Sequence, residues 1–187
     1  ESDRMLDPDF TQKKTEIQKN VVIEEFRQRY LNQPYGDVML ILRSLAYTIH
    51  PYRWPTIGMD ISHIEKITNE NVRQFFNRNY APQKAILSIT GNIDAAWAFN
   101  LADKWFGSIP GRHVNARILP REPEQEKARE ITVRRNVPSD ALYKAWHIGP
   151  RTADDFYTLD LLTDLLAGGE SGRLYNRLVR NLNLFSE

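Results

Sequence analysis

Two adjacent carboxylates, Glu24 and Glu25, stand inside the run Lys19-Asn20-Val21-Val22-Ile23-Glu24-Glu25-Phe26-Arg27. They are the side chains of this sequence best suited to chemistry. A helical carboxylate can ligate a metal, move a proton, or pair with a cation one turn away. Arg29 follows Glu25 by four residues, the spacing of a surface ion pair. The possible imidazole partners are scattered: His50, His63, His113 and His147 each stand alone. His63-x-Glu65 has the wrong spacing for a helical metal motif, and His-x-x-Glu-His occurs nowhere. There is no cysteine, which excludes thiolate nucleophiles, Cys-ligated zinc and disulfides.

The elements that must position these residues are legible from periodicity and punctuation. Residues 11–32 read as one long helix, capped by Thr11 or Asp9 and uninterrupted by Gly or Pro until Pro34. Val22, Phe26 and Tyr30 share its apolar face. Glu25 falls at the margin of that stripe and Glu24 on the polar side, so a functional role favours Glu25. Residues 37–48 form a second helical stretch, ended at His50-Pro51 because the residue before proline avoids the helical region. The Pro- and Gly-containing segment 51–58 marks a boundary between residues 1–58 and 59–187.

Beyond that boundary the pattern alternates. Thr68 caps a helix running to about Asn79, and Asp94 caps another that Gly107 stops. Residues 108–127 are a Pro- and charge-rich connector. The apolar runs 85–90, 130–137 and 142–148 read as strands. Thr152-Ala153-Asp154-Asp155 resembles a capping box before a helix that ends at Gly168-Gly169, and a last helix follows Glu170-Ser171. The expected fold class is α+β: a layered sandwich of helices on a mixed, mainly antiparallel sheet.

Composition narrows the function. With 25 Lys and Arg against 24 Asp and Glu, the net charge of +1 supports neither a nucleic-acid footprint nor an anionic membrane surface. No apolar run approaches the length of a membrane span. Glu-Ser-Asp-Arg-Met is neither an initiator start nor a signal peptide, and Asn183-Leu184-Phe185-Ser186-Glu187 has no stop signature. The expectation is a piece of a longer protein, whose compartment, periplasmic or cytoplasmic in a bacterium, the sequence leaves open.

Several segments, in one order, resemble the pitrilysin/insulinase family of zinc peptidases. They are residues 19–29; Asn32-x-Pro34-Tyr35-Gly36 with His50-Pro51-Tyr52-x-x-Pro55-x-Ile57-Gly58; Phe75-Phe76-x-x-x-Tyr80-Ala81-Pro82; Ile89-Thr90-Gly91-Asn92-Ile93-Asp94; Trp105-Phe106-Gly107-x-Ile109-Pro110; and Gly168-Gly169-Glu170-Ser171-Gly172-Arg173-Leu174-Tyr175. The resemblance implies two half-domains, 1–58 being the end of the first and 59–187 the second. It implies Zn2+ held by an inverted His-x-x-Glu-His motif and a later helical glutamate, which matches Glu25. The motif's own glutamate is the general base, so no catalytic residue lies in this chain, which alone is expected to be inactive. Gln18 stands where many members carry a second glutamate, and Gly172 where serine is usual. Arg180 is present but Ser186 falls near a tyrosine position, which fits a zinc-carrying domain rather than its partner.

The implied partners are a peptide substrate, added to a sheet edge, and a second homologous peptidase domain or subunit. The isolated chain is also expected to self-associate through uncovered apolar faces. The alternative is a metal-free structural or partner subunit of the same fold, like those of processing peptidases and respiratory complexes. An upstream His-x-x-Glu-His in the parent separates the two.

Overall fold

The computed structural model describes residues 1–6, 8–111 and 118–186, so His113 and the middle of the 108–127 connector lie outside the described residues. The described chain divides into two compact units, Glu1–Tyr143 and Lys144–Glu187.

The first unit carries six helices among the described residues. After α1 (Ser2–Leu6), α2 spans Gln12–Phe26 and widens into a π-type turn, Arg27–Leu31. Its first turn is capped by Thr11, whose hydroxyl accepts from Lys14 N–H at 3.3 Å. Asp9, the other candidate cap, instead pairs with Lys14 Nζ at 2.5 Å. Helix α3 (Val38–Ala46) ends before Pro51–Arg53, a single 3₁₀ turn. Helix α4 (Ile61–Glu65) is begun by Asp60, which accepts from Ser62 N–H at 2.8 Å. Helices α5 (Asn69–Asn79) and α6 (Ala95–Phe106) start at Thr68 and Asp94, as their sequences predict. Thr68 forms a reciprocal capping box with Asn71. Gly107 ends α6 where a Cβ would lie 2.5 Å from Asp103 O.

The core that positions Glu25 is small. Ile23 and Phe26 of α2 pack against Ile64 of α4, with Val22, Tyr30, Leu40, Ile57 and Ile61 around them. The side of α2 that carries Glu25 is thereby fixed by its neighbours in sequence. A second contact holds the start of α2 to α5: Asn69 Nδ2 donates to Phe10 O at 2.9 Å and to Thr15 Oγ1 at 3.0 Å. Phe10 also meets the Phe76 ring edge-on at 5.4 Å.

A strap from the 120s and 130s lies along α3. Glu122 accepts four hydrogen bonds from the chain that leaves α3: Thr48 N–H at 2.6 Å, Thr48 Oγ1 at 2.7 Å, Ile49 N–H at 3.0 Å and His50 N–H at 2.8 Å. Arg129 Nη1 donates to Leu45 O at 3.0 Å, in the last turn of α3. At the other end Arg135 pairs with Asp37 at 2.9 Å, and Tyr35 Oη donates to Ser139 O at 2.7 Å.

The second unit holds α7 (Phe156–Ala167), a 3₁₀ turn at Gly169–Ser171 and a π-type helix, α8 (Tyr175–Asn181). The Thr152 capping box does not form: Asp155 occupies the N-cap and makes no side-chain cap bond. Asn176 Nδ2 donates to Ser171 O and Gly172 O, both at 3.1 Å, which ties the glycine turn to α8.

The expected α+β sandwich is corrected here: among the described residues there are helices and no strands or sheet. Segments 85–90, 130–137 and 142–148 contain no helix and no ladder. Alternation and β-branched residues make a segment suitable for pairing, but a strand exists only where a neighbour supplies the ladder hydrogen bonds. Here Ile86, Leu142 and Trp146 remain 96%, 64% and 77% exposed.

The four donors on Glu122 have a measurable consequence. Desolvation pushes its carboxyl up, but the bonds from the Thr48 hydroxyl and the backbone of His50, Thr48 and Ile49 outweigh it and lower the pKa from 4.5 to about 2. A folded value below the unfolded one stabilises the fold above the unfolded pKa, and that stability is lost as pH falls through the folded value. Glu122→Gln is therefore expected to lower stability at pH 6, with the gap to the parent sequence closing between about pH 4.5 and 2. Urea denaturation across that range checks it.

Candidate functional site: Glu25 and the hollow beyond it

Glu25 sits near the end of α2, one residue before buried Phe26 and two after buried Ile23. That packing turns its side chain outward. Its Oε1 meets Arg29 Nη2 at 2.7 Å, with the two side chains 48% and 59% exposed. Glu24 pairs instead with Arg27, three residues on. Both carboxylates thus answer cations of the following turn, and they do not act as a pair. The helical wheel separates them only slightly, because Glu24 is 57% exposed.

Among the described residues no histidines join Glu25 in a metal-binding group of three or more. His50 Nδ1 accepts from Tyr52 N–H at 3.2 Å, and its ring packs on Tyr47 and Tyr52 at 5.8 and 4.4 Å. That is a turn-forming role. His63 lies on α4, and His147 belongs to the second unit. Among the described residues no group of three or more His, Asp or Glu could hold a metal ion. A catalytic zinc takes three protein ligands and a water. Glu25 could supply at most one, so the described residues do not by themselves fit the ion.

Immediately beyond Glu25 is an open hollow of about 460 Å³ whose lining includes Arg29, Tyr30, Gln33, Tyr35, Arg43 and Pro55. Backbone geometry builds its floor. Tyr35 adopts the left-handed conformation at φ 61°, uncommon for a residue with a Cβ. Gly36 follows where a Cβ would lie 2.8 Å from Tyr30 O, so the loop can fold back onto the π-type turn only with glycine there. Sequence reasoning singled out Pro34-Tyr35-Gly36 and Pro55 without seeing that they converge, and it missed Arg43. The only advance signal was two Pro-containing motifs flanking one short helix.

Comparison with known proteins agrees with this frame. Residues 66–187 match the family profile described as the peptidase M16 inactive domain, a match that begins after Glu25. The chain is 29% identical to the zinc protease PqqE of Helicobacter pylori over 91% of its own length and 39% of that protein. It is 25% identical to the uncharacterized zinc protease YmxG of Bacillus subtilis, over 93% of this chain and 41% of the relative. The chain therefore spans about two-fifths of the length of the curated relatives it matches. A crystal structure of a protease from Helicobacter pylori superposes with a TM-score of 0.70 at 27% identity, covering 95% of this chain and 43% of the other. Motif order, sequence match and backbone path agree, and the chain belongs to the M16, or pitrilysin-type, peptidase family.

Proposed function

We propose that this chain is part of a zinc-dependent metalloendopeptidase, and that Glu25 is the carboxylate it contributes to the metal. The observation that carries the proposal is where Glu25 lies. In the order of motifs it resembles the family's helical glutamate, and it stands on a helix packed through Ile23 and Phe26, with its half-exposed carboxylate paired to Arg29. The names of the relatives, zinc proteases, support the same reading. In the parent, zinc would supply Lewis acidity and an acidified water. This chain's own residues would hold Glu25 in register. The division at 58/59 into two half-domains is part of the same proposal, as are a peptide substrate and a second homologous domain or subunit.

A second reading has its own support: the matched profile is described as the inactive domain. On that reading the parent is a structural or partner subunit and Glu25 is a solvated helix residue.

Glu25→Gln separates the two. In this chain the substitution removes one half-exposed ion pair, so stability should change by no more than about 0.5 kcal/mol. In the parent, the peptidase reading expects one zinc per chain, lost on Glu25→Gln together with peptide hydrolysis. Metal analysis of purified parent and variant decides it. Stoichiometric zinc that survives the substitution removes Glu25 from the ligand set, and a metal-free parent supports the partner-subunit reading.

Self-association of the isolated chain belongs to the same picture. Many large apolar side chains are exposed, among them Ile86, Ile118 and Trp146 at 96%, 92% and 77%. Light scattering should show oligomers that grow with concentration through the micromolar range. A monodisperse monomer throughout that range would count against it.

A further inference from the structure

The hollow beside Glu25 carries an unbalanced charge. Among the described residues its lining includes two guanidinium groups, Arg29 and Arg43, and no carboxylate. Arg29 already has a counter-ion in Glu25. Arg43 is half-buried in the last turn of α3, and among the described residues its side chain makes one hydrogen bond, a long one, 3.4 Å from Nη1 to Tyr52 O. Among the described residues it makes no ion pair. A cation drawn partly out of water without an anion is costly, and the cost is recovered when a carboxylate completes it. Arg is also the side chain whose planar fork matches a carboxylate with two parallel hydrogen bonds. The rings of Tyr30 and Tyr35 make apolar walls, and Tyr35 cannot swing away because its hydroxyl is engaged with Ser139 O and N–H at 2.7 and 3.1 Å.

We propose that this hollow is a carboxylate-binding subsite, with Arg43 as the principal cation and Arg29 as the second. That the carboxylate is carried by a peptide rests on the peptidase reading above. The carboxylate is either an Asp or Glu side chain or a peptide C-terminus, since both present the same two oxygens. The position fits selection of substrate, because Arg29 touches both the hollow and Glu25.

The test measures binding of three short peptides to this chain by calorimetry. All are N-acetylated; one carries Glu and an amidated end, one carries Gln and an amidated end, and one carries Gln and a free C-terminal carboxylate. A charge-assisted pair should make one or both carboxylate peptides bind about tenfold tighter than the neutral one. Preference for the first assigns a side-chain subsite, and preference for the third a terminus subsite. Arg43→Gln should abolish the preference, whereas Arg43→Lys should keep part of it. Should Arg43→Gln not fold by circular dichroism, the preference of the unmutated chain must shrink as salt is raised to about 0.5 M. Equal binding of all three peptides, no binding of any, a preference untouched by Arg43→Gln, or one indifferent to salt overturns the proposal. The assay involves no turnover, so its failure leaves the metal test of Glu25 standing, and a metal-free parent leaves the subsite standing.

Discussion

The first unit depends on one carboxylate. Glu122 gathers three consecutive backbone N–H groups and a hydroxyl where the chain leaves α3, more than seventy residues away in sequence. A helix end leaves polar backbone groups without partners, and something must satisfy them. Here a strap does so from both sides, with Glu122 on the N–H groups past the helix and Arg129 on the last carbonyls. The apolar core of Ile23, Phe26 and Ile64 is too small to fix that geometry on its own. Polar contacts at long sequence separation therefore set the position of α3. Since α3 carries Arg43 and follows the Tyr35-Gly36 turn, the shape of the hollow depends on the same strap.

What was legible in the sequence follows the range of the forces involved. Caps and helix periods act within four residues, so Thr11, Thr68, Asp94 and Gly107 marked their helix ends correctly. The short α4 was missed, because five residues are too few to show a period. The strand assignments at 85–90, 130–137 and 142–148 failed for a different reason. Pairing is a property of two segments, and the sequence displays only the readiness of each. Glu122 was invisible for the same cause, since nothing in Arg121-Glu122-Pro123 announces four donors in the segment after α3.

The site divides along the same line. The pairing of Glu25 with Arg29 was readable from spacing alone, and the structure contains it. The proposed ligand role rests only on the order of motifs along the chain, which leaves no mark in local physics. The hollow belongs to neither class. Its lining includes residues of the π-type turn, the loop after it, α3 and Pro55 just past the 3₁₀ turn, and each is unremarkable alone.

One energetic contrast links these observations. The Glu25–Arg29 pair is half-exposed on both sides, where screening and side-chain entropy leave an i,i+4 pair worth a few tenths of a kcal/mol, about 0.3 to 0.5. Such a pair orients a carboxylate without committing it. Glu122 is the opposite case: four donors hold its carboxyl near a pKa of about 2, and no competing ligand could take it without unfastening the strap. A chain that is to contribute a ligand must hold that residue by its backbone and leave its carboxylate weakly held. Among the described residues Glu25 meets both conditions, because Ile23 and Phe26 fix the helix while one exposed arginine pairs with one of its oxygens.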